Sequence, residues 1–212
     1  MSPILTPHGF STEGSKKSVF HRQVSADVFH CVVPWLKGQG GTKFAIRVLV
    51  TSPLVDISFP TSFPDELGMP NDRETGLDPI KGVTFHSNHT FRGNKKEGFI
   101  RNFNNQAKPA IVKYAIPYLD KIDTLKKLRR RMRPSTVPLS GLSYALVHWH
   151  TGKRMKGEKL LIEHRNYLLN LINESRALEP VSKADLSLHE ASIAHYIFAI
   201  EHIETLLRVK TT

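Results

Sequence analysis

Hydrophobic and polar positions follow two different periods along the chain. From Val24 onward, short apolar runs bounded by Gly, Pro, Ser and Asp predict strands at Asp27–Val33, at Lys43–Val50 and, after Thr51-Ser-Pro53, at Leu54–Phe59. Pro34–Gly41 reads as a Gly-rich loop between the first two strands, and Gly38-Gln-Gly-Gly41 as a turn rather than a phosphate cradle, because no helix follows it. Short strands separated by turn chemistry predict a small antiparallel sheet.

Further along, the apolar spacing lengthens to three or four. Ile116, Leu119, Ile122, Leu125, Leu128 and Met132 form a stripe that predicts one helix opening at Pro117 and ending at Pro134. Leu142–His150 is ambiguous; Gly141 and Gly152 bound it, and the alternation of Leu142, Tyr144 and Leu146 favours a strand. Two helices close the chain. Gly157–Leu178 carries Leu160, Leu161, His164, Leu168, Leu171 and Ile172 on one face. The second opens with Ser187-Leu-His-Glu190 as a capping box and continues through Ile193, Ile197, Ile200, Ile203 and Leu207. The fold class is therefore α+β: a small antiparallel sheet in the N-terminal half, a basic central helix and a C-terminal αα-hairpin.

Stretches without either period set the expected domain limits. Residues 1–23 read as a flexible N-terminal arm, and residues 60–79, with four prolines and Asp65, Glu66, Asp72, Glu74 and Asp78, as a long acidic loop. A basic α+β domain is expected over 24–155, with the helical hairpin of 156–212 packed on it.

Charge adds the strongest functional clue. The formal net charge is +11, yet Arg92–Lys159 alone holds 17 Lys and Arg against 4 Asp and Glu, so the whole surplus comes from one segment. Concentrated cations suit a phosphate backbone, because each neutralised phosphate releases condensed counterions. The lone Cys31 forms no internal disulfide, no apolar run reaches membrane length, and residues 1–20 lack a leader-like core. An intracellular protein of the cytoplasm or nucleus, without a membrane partner, is the expectation.

Two runs carry the nucleic-acid reading. Phe85–Phe103 interleaves Phe85, Phe91, Phe99 and Phe103 with Arg92, Lys95, Lys96 and Arg101, pairing candidate base-stacking rings with phosphate contacts. Lys126–Arg133 packs Lys126, Lys127, Arg129, Arg130, Arg131 and Arg133 into eight residues, and Lys153 and Arg154 follow. Such phenylalanines are more often core, and such charge runs are often merely solvated.

Histidine supplies the rival chemistry. His86 and His89 with His148 and His150 form two close pairs that offer imidazoles either to a divalent metal or to acid–base cleavage of a phosphodiester; no resident cofactor is otherwise expected. His195 and His202 lie off the isoleucine stripe, on an expected solvated face. No P-loop, GxGxxG, GxSxG or HExxH sequence is present. The primary expectation is RNA or DNA binding through the backbone. A histidine-based nuclease and a nucleocapsid-like or scaffold subunit, oligomerising through the C-terminal helices, are the alternatives.

Overall fold

A computed structural model describes residues 1–12, 19–37, 43–55, 88–92, 96–132, 134, 138–178 and 182–209. The chain divides into two compact units, Met1–Pro53 with Pro70–Arg133 and Leu54–Met69 with Pro134–Thr212.

The first unit is built on a four-stranded antiparallel meander in the order β1 (Phe20–Ser25), β2 (Val28–Lys37), β3 (Lys43–Thr51) and β4 (Asn88–Arg92). A tight turn at Ala26-Asp27 joins β1 to β2, with Ser25 opposite Val28. Neither turn residue has the positive φ that twist-matched hairpin turns use, and the register shifts at once between Gln23 and Ser25; a bulge absorbs the mismatch. Strand β2 runs through Pro34, where a loop was expected. The β1–β2 ladder ends at Phe20 and Val32, so Pro34 lies beyond it and its missing amide costs no β1 bond. Residues 38–42 of the expected loop are outside the described residues. The expected third strand at Leu54 is instead a turn over Pro53–Val55, and residues 56–59, like the acidic loop 60–79, are outside the described residues.

Where described, the N-terminal segment is not a loose arm. Short helix α1 (Ser2–Leu5) and the 3-10 turn Thr6–His8 lead into a bridge in which Ser11 and His21 exchange backbone hydrogen bonds of 2.9 Å. Leu5 and Phe10 are 0% and 2% exposed; burying two such side chains, worth about 1.5–3 kcal/mol each, anchors a stretch whose polarity hid them.

After β4 the backbone stays helical from Lys96 to Leu119: α2 (Lys96–Asn102), a π-helical turn Phe103–Ala107, α3 (Lys108–Ala110), a second π-turn Ile111–Ala115, and α4 (Ile116–Leu119). The prolines explain the π-turns. Pro109 and Pro117 would drive their rings into the carbonyls four residues back, those of Asn105 and Lys113, and each sits in the middle of a widened turn. Pro117 is the second residue of α4, with helical backbone already running before it. The expected single helix breaks over residues 120–124 and restarts as α5 (Leu125–Arg131), where the Thr124 hydroxyl accepts from the Lys127 amide at 3.3 Å. All six stripe residues, Ile116 to Met132, are nevertheless buried.

The second unit is helical: α6 (Pro138–His150), α7 (Arg154–Ala177) and α8 (Lys183–Arg208). Leu142–His150 is thus helix rather than strand. Leu142, Ala145, Leu146 and Trp149, spaced by three and four, are buried, and Gly152 ends the helix at φ 77° while the Lys153 amide donates to the His148 carbonyl at 3.1 Å. Helix α6 belongs to the same compact unit as α7 and α8. Ser182 caps α8 by accepting from the Asp185 amide at 3.1 Å, five residues before the expected capping box, which lies inside the helix. The described part of this core comprises α6 together with Leu161, His164, Leu168 and Ile172 of α7 and Ala199, Ile200 and Ile203 of α8.

Candidate nucleic-acid interface

Helix α5 concentrates the cations. Leu125 and Leu128 turn inward, followed by Met132, which leaves Lys126 and Arg130 exposed one turn apart on the far side. Lys127 is also exposed, but its ammonium lies 2.7 Å from Asp123 and holds that carboxyl below its usual range. A surface pair at this spacing contributes little to stability, being screened by solvent, and yields readily to a phosphate. Arg129 and Arg131 are half-buried. Arg101 of α2 is exposed; the side chains of Arg92, Lys96, Phe91 and Phe99, and residues Phe85, Lys95 and Arg133 altogether, lie outside the described part of the chain.

Lys153 and Arg154 are exposed as well, but they belong to the other unit, so the basic segment that is continuous in sequence is shared between two bodies. Arg154 stacks on Trp149 with its guanidinium carbon 3.8 Å from the ring centre, and the Lys156 ammonium sits 5.6 Å from the Tyr144 ring. Both cations help close the α6–α7 corner.

The histidine pairs fare differently. His148 and His150 were read as a close pair able to offer both imidazoles to one site; on a helix, residues two apart point about 160° away from each other. His148 is buried with its ring edge-on to Tyr144 at 4.8 Å, and His150 is half-buried. His89 pairs through its backbone with Ile46 on β3, its side chain and His86 being outside the described part. Among the described residues no three His, Cys, Asp or Glu side chains are grouped to hold a metal ion. His195 and His202 are half-buried rather than solvated, and desolvation lowers both pKa values.

The best-connected polar cluster was not anticipated. His30, fully buried on β2, lies opposite Arg22 of β1, whose Nε and Nη2 approach its Nδ1 at 3.2 and 3.0 Å. Arg22 also donates to the His8 carbonyl at 2.9 Å, pairs with Asp120, and stacks over Phe10 at 4.6 Å. The other ring nitrogen of His30 lies 2.8 Å from the Ile122 carbonyl. One signal was available: His30 shares its parity with Val28 and Val32 on a strand, which makes it an inward-facing histidine. The distant partners, Ile122 at 92 residues from His30 and Asp120 at 98 residues from Arg22, carried none.

No protein family, curated protein or solved structure matches this chain. Among the described residues no helix is long and apolar enough to cross a membrane.

Proposed function

We propose that the chain binds RNA or DNA mainly through the phosphate backbone, with α5 as the principal contact. The observation that carries this reading is the exposed pair Lys126 and Arg130 on a helix seated by Leu125 and Leu128. Four residues of helix rise about 6 Å, comparable with the spacing of neighbouring phosphates on one strand. Long cations held by a seated helix lose less freedom on contact than the same residues on a loose tail.

Labelled RNA and DNA duplexes titrated between about 50 and 200 mM salt test it. Removing both contacts with Lys126→Ala and Arg130→Ala flattens the slope of log affinity against log salt by about 1.8 on DNA, for all sequences alike. An unchanged slope would overturn the assignment to α5. Loss of labelled strand during incubation would instead favour the nuclease reading.

A second reading, a subunit that assembles through its C-terminal helices, is favoured by the exposure of Met155, Ile162 and Leu169, spaced by seven along α7. Sedimentation across a concentration series separates it from the first: a monomer throughout removes it.

A further inference from the structure

The His30 cluster plays no part in the phosphate reading, and its chemistry is determined by its partners. Arginine only donates and a carbonyl only accepts, so Nδ1 is the acceptor from Arg22 and the ring proton sits on Nε2, donated to the Ile122 carbonyl. The imidazole is therefore neutral. A second proton has one place to go, Nδ1, and that position already faces guanidinium nitrogens at 3.0 and 3.2 Å.

The charged groups facing the ring are Arg22 from β1 and Asp120 and Asp123 from the turn after α4. The two carboxylates and the Ile122 carbonyl favour an imidazolium; burial and Arg22 oppose it, and burial is the largest influence, so the pKa falls below 6.5. Protonation thus removes the acceptor of Arg22 and sets two cations in contact inside the fold. Arg22 is also what ties Asp120 to β1 and to the His8 carbonyl. The turn that these bonds hold, residues 120–124, ends in Thr124, the cap of α5.

We propose that His30 is a proton-sensitive latch: neutral, it fastens the 120–124 turn and the start of α5 to the sheet; protonated, it releases them. The break between α4 and α5 makes this possible, since the Ile122 carbonyl is turned to the imidazole. The latch stands whether or not α5 meets nucleic acid.

Amide hydrogen exchange on the full chain, corrected for intrinsic rates, reads it directly. Between about pH 7.5 and pH 5 the α5 amides lose protection about tenfold or more relative to those of the β2–β3 ladder. His30→Gln supplies an acceptor for Arg22 and a donor for Ile122 without titrating, and keeps α5 protected at both pH values. Equal loss in wild type and His30→Gln, or no loss in wild type, overturns the latch. Should His30→Gln fail to fold, nitrogen-detected NMR of the wild-type ring decides: the Nε2–H tautomer at neutral pH and protonation coincident with α5 opening are expected, and opening while the ring stays neutral refutes it.

Discussion

At Gly157 a single methyl group sets two effects against each other. An alanine inside a helix is favoured over glycine by about 1 kcal/mol, which on propensity alone makes Gly157→Ala stabilising. A Cβ there, however, would lie 2.6 Å from the Trp149 nitrogen and 2.7 Å from its Cα. Main-chain atoms cannot swing aside like a side-chain tip, so α6 and α7 must part, and Trp149 and Leu161, both buried, lose packing. Overpacking of this kind costs about 1–3 kcal/mol and outweighs the propensity gain. The expected outcome for Gly157→Ala is a net loss of up to about 2 kcal/mol, read as a lower urea midpoint at unchanged m-value. A higher midpoint would show that the two helices do not approach this closely.

Among the elements, α8 offers two serines with opposite roles. Ser182 accepts the Asp185 amide, whereas Ser187, four positions into the helix, is exposed. Ser182→Ala removes an N-cap and costs about 1 kcal/mol, while Ser187→Ala, on a solvated helical surface, is neutral to stabilising by a few tenths. Chemical denaturation of the two variants checks this, and the reverse order would restore the helix start first read at Ser187. Local chemistry made the other boundaries similarly easy or hard to see. Strand β2 was legible as an apolar run because Cys31, Val32 and Val33 are buried in succession, and the α7 stripe because Leu161, His164, Leu168 and Ile172 are buried at steps of three and four; on α8 the expected stripe holds at Ile200 and Ile203, whereas Ile197 is exposed. The stripe from Ile116 to Leu128 misled because every step is three: on a 3.6-residue helix each step slips about 60°, so five such residues spiral away from any one face. The chain buries them all by breaking at 120–124, where Asp123 and Thr124 offer cap chemistry. Helix α6 was missed although Gly152 stands where a helix-terminating glycine belongs. Strand parity marks His30 as inward-facing, but its cluster was beyond reach for a simpler reason: Arg22 and Asp120 are 98 residues apart, and no local pattern encodes a contact at that separation.

For the molecule as a whole, acid acts through two routes that salt distinguishes. His30 in one unit and His195 and His202 in the other all have pKa values below 6.5, with desolvation the leading cause in each. Unfolded, these groups take up protons near 6.5; folded, they resist until lower pH. The unfolded chain therefore binds more protons just below 6.5, and stability falls as pH drops from about 6.5 through the folded-state values, below which the loss is constant. Each unit carries at least one such histidine, so the direction holds whether the two melt together or apart. The second route is charge repulsion: with a formal charge of +11 and 11 histidines, full protonation doubles the charge. Repulsion between exposed cations is screened over about 3 Å in 1 M salt, but the desolvation of a buried imidazole is not relieved by ions that cannot reach it. The expected result is a melting temperature that falls between about pH 7.5 and pH 5.5, with most of the fall persisting in about 1 M salt. If high salt abolished the fall, repulsion among surface cations would account for the acid sensitivity, and the burial of these three histidines would contribute little to it.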